Sequence, residues 1–251
     1  MLSLALAFIG SVVTILLAAA AIVVRALTPL AGAVAAAFGI VIVVFAGVAF
    51  LALLILFVVG SSLATRYRFA EKRERRLQEG KGGERGVWNV VAHIVLPTGL
   101  AVAGGVSPPL ISPGPLTLLY AAALAFGASD TFASEFGVLA GRARSILSFR
   151  PVEPGTNGGI SGLGEAAALF GAGTTAAIAL GLFVVTGTHV PDYALFLGIG
   201  TASGFIGCQV DSILGEVLEN RGYLSKHGTN FLGMLSAIVL AAAGLALAGA
   251  L

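Results

Sequence analysis

The chain has 251 residues, of which 57% are hydrophobic and 10% charged, against about 25% charged in an ordinary soluble domain. That balance excludes a soluble globular enzyme, and a formal net charge of +2 gives no electrostatic footprint for nucleic acid. At about 20 apolar residues per crossing the length allows at most about nine or ten spans and little else. The whole chain, 1–251, therefore reads as a single all-α membrane domain. Its 35 glycines, about double the usual ~7%, suit helices that approach closely in lipid. The one cysteine, Cys208, forms no intrachain disulfide.

The apolar runs fall at about 2–24, 29–64, 87–106, 115–140, 160–186, 192–217 and 229–250. The first lacks the positive start of a secretory signal and outlasts a typical signal core, so a retained helix is expected. The second is too long for one crossing: 36 residues of helix reach roughly 54 Å, nearly twice a ~30 Å hydrocarbon core. Two short spans turning near 45–47 are expected there, which gives about eight transmembrane helices. Lys and Arg near span ends stay on the cytoplasmic side, and eight spans sort every one of them to one side. Arg25 lies in the first such turn, and Arg66, Arg68, Lys72, Arg73, Arg75, Arg76, Lys81 and Arg85 in or beside a loop at about 65–86. Arg142, Arg144 and Arg150 fall at about 141–159, and Arg221 and Lys226 at about 218–228. The opposite segments at 105–114 and 187–192 carry none. Both termini then lie on the non-cytoplasmic side.

An ionised group inside a span costs at least ~2.5 kcal/mol on insertion scales and marks function by default. Asp130, Glu135, Glu165, Asp211 and Glu216 lie in spans or at their cytoplasmic ends. The segments 129–135 and 210–216 look alike, with a hydroxyl directly after each aspartate, on helices that run in the same direction. Asp130 and Asp211 are therefore expected to face each other at similar depth. Two such carboxylates repel unless a proton or cation lies between them, and hard oxygen ligands suit Mg2+; the plainer alternative is a protonated or helix-bridging pair. Glu165, one turn into its helix, is expected to pair with a nearby arginine.

Between these helices the run Pro154-Gly155-Thr156-Asn157-Gly158-Gly159-Ile160-Ser161 leads into a helix, and backbone N–H groups at such an end bind phosphate. It is not a Walker A sequence, and the alternative is a simple turn beside Arg142, Arg144 and Arg150. His93, with Asn89 four residues before it, reads as a hydrogen-bonding residue rather than a metal ligand. Thr229 and Asn230 open the last helix, to cap it or to reach the cavity. Trp88, Tyr193 and Tyr223 suit interfacial anchoring.

Five ordered blocks carry a resemblance. They are Ser61-Ser62-Leu63-Ala64-Thr65-Arg66, Ser129-Asp130-Thr131 with Ala133-Ser134-Glu135-Phe136-Gly137, the glycine run to Ser161, Val210-Asp211-Ser212-Ile213-Leu214-Gly215, and Thr229-Asn230-Phe231-Leu232. From about residue 27 to the C-terminus the chain resembles the DUF92 family of integral membrane proteins, which includes phytyl-phosphate kinases. The resemblance implies a CTP-dependent kinase that converts a prenyl monophosphate, phytyl or geranylgeranyl phosphate, to the diphosphate at the cytoplasmic face of the cell membrane. It carries over Ser61, Ser62, Thr65, Asp130, Ser134, Glu135, Pro154, Gly155, Thr156, Gly158, Gly159, Ser161, Asp211 and Ser212. Asp130, Glu135 and Asp211 are then expected to hold Mg2+ against the triphosphate. The run 155–159, Asn157 included, would cradle phosphates. Arg66, Lys72 or Arg150 would neutralise developing charge, with Ser134, Ser212 and Asn230 in support. His93, Asn157, Glu165 and Glu216 depart from the family pattern.

Two other functions use the same residues: a secondary transporter whose aspartates bind a coupling cation, and a CTP-dependent cytidylyltransferase acting on a lipid phosphate. A homo-oligomer is compatible with glycine pairs such as Gly137 and Gly141, although these serve intrachain packing equally well.

Overall fold

A computed structural model describes residues 4–80 and 82–250; residues 1–3, Lys81 and Leu251 lie outside the described residues. The apolar runs become α1 (Leu4–Val23), α2 (Pro29–Phe45), α3 (Val48–Arg66), α5 (Val87–Gly105), α6 (Pro113–Gly137), α7 (Gly162–Val185), α8 (Tyr193–Leu214) and α9 (Lys226–Leu247), with a short α4 (Phe69–Glu74) between α3 and α5. Seven are long and apolar enough to cross a membrane, and α2, at 17 residues, is the shorter apolar helix. The long second run does divide as expected, α2 ending at Phe45 and α3 opening after Gly47.

The core of the bundle is α6, which α3, α5, α7, α8 and α9 all contact. Its residues from Gly114 to Ser129 are buried without interruption, because alanine and glycine on the neighbours let backbones close around it. A Cβ added at Gly204 of α8 would lie 2.8 Å from the Ala125 carbonyl carbon, closer than side chains approach. Tyr120, also fully buried, donates its hydroxyl to the Phe50 carbonyl at 3.0 Å and ties α6 to α3.

The loops separate into two ends. Arg85 N donates to Ala26 O at 2.9 Å and Thr28 N to Arg85 O at 3.1 Å, so the α1–α2 turn meets the start of α5. Lys226 bonds Glu79, and Asn220 bonds the Asn157 carbonyl. The basic segments thus gather at one end, while Thr117 reaches the His189 carbonyl at the other. Asp192 caps α8 there, accepting from Ala194 N and Leu195 N.

The helical bundle stands as expected, and the expected loop at about 141–159 carries a small sheet. Pro151, Pro154 and the glycines after it forbid a helix, and the chain between α6 and α7 folds into three short antiparallel strands. They are β1 (Ala143–Ser145), β2 (Pro151–Val152) and β3 (Gly159–Ile160), in the order β2-β1-β3. Beside them α8 ends in a π turn at Gly215–Glu219.

Overpacking costs about 1–3 kcal/mol. Gly204→Ala is therefore expected to lower the thermal unfolding midpoint in detergent, while Gly181→Ala, where an added Cβ meets nothing within 4 Å, leaves it unchanged or higher.

Candidate functional site

At the basic end lies a polar cavity of about 330 Å3. The inner half of α6 contributes Asp130, Ser134 and Glu135, α8 contributes Asp211 and Ser212, and the first turns of α9 contribute Lys226, Thr229 and Asn230. The glycine run 154–161 and the segment 76–79 complete the wall. Gly155 and Gly158 hold left-handed φ angles of 85° and 78°, and a Cβ at Gly158 would fall 2.4 Å from that of Glu216. Glycine alone lets the loop turn and lie this close. Glu216 accepts from Ser145 Oγ at 2.6 Å, so this acid braces β1 against the end of α8. Ser161 caps α7 by accepting from Gly164 N and donates to the Gly137 carbonyl, which fixes the exit of the loop.

Asp130 and Asp211 meet as expected, with the buried amide of Asn230 between them. Its NH2 group is satisfied by donating to Asp211 Oδ1 at 3.2 Å and the Lys226 carbonyl at 2.8 Å. The other end of the amide is 3.5 Å from both Asp130 Oδ2 and His93 Nε2. Ser225, not Thr229 or Asn230, caps α9, which leaves Asn230 free to reach the cavity.

Glu135 is engaged differently from expectation. Its Oε2 lies 2.5 Å from Nζ of Lys72, which is fully buried and also donates to the Thr65 and Ala64 carbonyls at 2.8 and 3.2 Å. Among the described residues no three His, Cys, Asp or Glu side chains group as a metal cage, so the expected set of Asp130, Glu135 and Asp211 does not assemble. Two carboxylates facing a polar space still fit Mg2+, which takes one or two and completes its shell with water and phosphates.

The expected cations are also rearranged. Lys72 is consumed by Glu135. Arg66 donates to the Val24 carbonyl, and Arg150 is exposed and off the cavity wall, where Arg76 stands instead. Among the described residues no arginine forms an ion pair with Glu165, which lines the polar cavity. Ser62 and Thr65 donate to the carbonyls four residues back, Val58 and Ser61.

Ser61, Ser62 and Arg66 belong to a second cavity, of about 360 Å3, between α1, α2, α3 and α5. Its walls are mostly leucine, alanine, valine and isoleucine, with Phe57 and Gly39, and its polar lining is Thr14, Ser61, Ser62 and Arg66 together with Arg85, Asn89 and His93. Asn89 and His93, one helical turn apart, share a face as α5 begins, and Arg85, held just ahead of the helix by its bridge to Leu27, reaches the same wall by donating to Asn89 Oδ1. His93 Nδ1 donates to the Asn89 carbonyl at 2.9 Å, and its Nε2 is 3.9 Å from Asp130 Oδ2. Arg85 Nη2 donates to Thr131 Oγ1 at 3.4 Å. The apolar and polar cavities therefore meet across His93, Asp130 and Thr131. The sequence reading found His93 and Asn89 but missed Arg85, which precedes the helix and is brought to this wall by its bridge to the 26–28 turn, a tertiary contact with no local signal.

These features define a helical integral membrane protein with a one-sided polar site backed by a lipid-like cavity. The chain belongs to the family of integral membrane proteins DUF92, whose pattern matches residues 12–246. It is 30% identical over 205 residues to an uncharacterised membrane protein of Methanocaldococcus jannaschii, covering 78% of this chain and 76% of that one. It is 31% identical to Protein PGR of Arabidopsis thaliana over 72% of this chain and 68% of that one. An uncharacterised membrane protein of Synechocystis sp. is 32% identical over 75% and 72%. No solved structure matches the chain.

Removing one partner of a buried ion pair costs about 3–5 kcal/mol, while replacing both is far milder. Lys72→Met is thus expected to destabilise the protein strongly, and Lys72→Met with Glu135→Gln to recover most of the loss, as read by thermal melts in detergent. The loop carries a pH-sensitive tie as well. Burial raises the Glu79 pKa, but the charge and 2.8 Å hydrogen bond of Lys226 outweigh it and hold the carboxyl below its ordinary 4.5. A pKa lowered on folding adds stability above the unfolded value, and that stability is lost as pH falls through the folded one. Spin labels at positions 74 and 223 are expected to show a narrow distance at neutral pH that broadens below the ordinary carboxylate range, and in Glu79→Gln to be broad at neutral pH already.

Proposed function

We propose that this protein is a CTP-dependent prenyl-phosphate kinase of the cell membrane, with its site facing the cytoplasm. The observation that carries the proposal is the meeting of an apolar cavity and a glycine-walled polar cavity across His93 and Asp130. A prenyl phosphate divides in the same way, into a tail that belongs in lipid and a phosphate that must meet a water-borne nucleotide. The orientation follows from the clustering of the basic loops at the end that holds the polar cavity.

In the reaction an oxygen of the acceptor monophosphate bonds to the γ-phosphorus of CTP, while the bond from that phosphorus to the β-phosphate bridging oxygen breaks and its electron pair leaves with CDP. The acceptor oxygen is already anionic, so no strong general base is needed, and catalysis is positioning and charge neutralisation. Thr156 N and Gly159 N of the 155–159 loop donate to the Glu153 and Thr156 carbonyls, so the N–H groups of Gly155, Asn157 and Gly158 are the ones that bind the donor phosphates, and Arg76 and Lys226 offset their charge from the cavity wall. Asp130 and Asp211 are the residues that would hold Mg2+, which when bound neutralises triphosphate charge. Asn230 keeps the two carboxylates apart and in register, while Ser134 and Ser212 line the same wall.

Purified protein given Mg2+, CTP and geranylgeranyl phosphate is expected to yield geranylgeranyl diphosphate and CDP by mass spectrometry. Pyrophosphate with a CDP-linked lipid would establish cytidylyl transfer instead, and cation-driven uptake into proteoliposomes without nucleotide consumption would establish a transporter. Asp130→Asn is expected to lower turnover at least about a hundredfold, the scale of losing a preorganised electrostatic group, with its melting midpoint retained; full activity in the folded variant would contradict the assignment.

A further inference from the structure

Arg85 is placed as few arginines in a membrane protein are. It is nine-tenths buried, and among the described residues no carboxylate oxygen lies within 4 Å of its guanidinium. Glu79, Glu135 and Asp130 act on it only through space. Its Nη1 and Nη2 donate to neutral oxygens, Asn89 Oδ1 at 3.1 Å and Thr131 Oγ1 at 3.4 Å, and its Nε has no partner. A buried charge left this way is costly unless an anion completes it, and a guanidinium offers donors in the fork that phosphate oxygens match. The backbone of Arg85 is meanwhile pinned on both sides, through Ala26 O and Thr28 N, so the group is held in place before any ligand arrives.

The apolar cavity on which Arg85 opens is also accessible from the side. Leu17 and Val24 of the α1 region and Val59 and Leu63 of α3 line it and are at the same time exposed on the outer surface of the bundle. A ligand reaching it through that gap comes from the hydrocarbon phase. Ser61 Oγ, buried and without a partner, lies on the same cavity.

We propose that this cavity is the binding site for the tail of a single-chain lipid monophosphate and that Arg85, supported by Asn89, is the residue that grips its phosphate. From there the headgroup lies across His93 from Asp130, whose Oδ2 is 3.9 Å from the imidazole, which places the acceptor next to the donor cavity. Arg85 is thus a substrate-binding residue for the kinase reading, on which the choice of lipid rests, and its role is separable from turnover because it is read by binding without nucleotide.

The test is native mass spectrometry of the detergent-purified full chain titrated with geranylgeranyl monophosphate, with geranylgeraniol and with inorganic phosphate. The wild type is expected to bind the monophosphate at least about tenfold more tightly than the alcohol, the scale of one hydrogen bond to a charged group, and to bind inorganic phosphate far more weakly than either. Arg85→Gln is expected to bring the two lipids to equal affinity, and Arg85→Lys to keep part of the preference. Ala18→Phe, which fills the cavity, is expected to weaken both lipids together. An undiminished preference for the monophosphate in folded Arg85→Gln, or in Arg85→Lys an unchanged one should the glutamine variant fail to fold, overturns the role of Arg85. Unchanged lipid binding in Ala18→Phe overturns the cavity. Inorganic phosphate binding as tightly as the lipid monophosphate overturns the lipid site and assigns Arg85 to a free anion. A protein that binds as described but forms no diphosphate contradicts the kinase reading alone.

Discussion

A buried ammonium–carboxylate contact, Lys72 to Glu135 at 2.5 Å, holds the site together. It fastens the segment after α3 to the inner end of α6, the helix on which the bundle is built. The chain that follows must then pass over the polar cavity, where Glu79 reaches Lys226, before returning to Arg85 and α5. Both cavities owe part of their walls to that path. Taking these charges out of water is expensive, and the contact persists because the Thr65 and Ala64 carbonyls satisfy the remaining donors of the ammonium.

Most of the bundle was legible from hydropathy and charge. The excess length of the second apolar run and the sorting of every lysine and arginine to one side both required a break near 45–47, where α2 and α3 divide. Asp130 and Asp211 were legible for the same reason: a carboxylate in a span is too costly to be incidental, and two parallel helices carrying them at similar depth bring them together. The glycine run was legible as a break between helices, since its prolines and glycines leave no helix for the chain to enter. Its small sheet was not, because strands of two or three residues carry no periodicity.

The assignment of partners was the part hidden from sequence. Lys72 and Arg66 stand in a run of basic residues with no mark to say which turns inward, and the structure buries Lys72 against Glu135 while sending Arg66 to a carbonyl on α1's trailing turn. Contacts across 63 residues, as between Lys72 and Glu135, follow from the tertiary path and from nothing local. Arg85 was obscured by its neighbours in the same charged loop, since its bridge to Leu27, not helical spacing, carries it to the wall that Asn89 and His93 line.

The two cavities give the site its logic. One end is closed by alkyl side chains and the other by glycines and carboxylates, with His93 and Asp130 at the seam, and on the proposed kinase reading an amphiphile and a nucleotide would approach the same point from different phases. The most direct test is a cryo-electron microscopy structure with geranylgeranyl monophosphate and an unreactive CTP analogue bound together. The account predicts the lipid tail between α1, α2, α3 and α5, its phosphate on Arg85, and the analogue's phosphates between the 155–159 loop and the Asp130–Asp211 pair. A tail lying elsewhere on the bundle, or a nucleotide away from that loop, would contradict it.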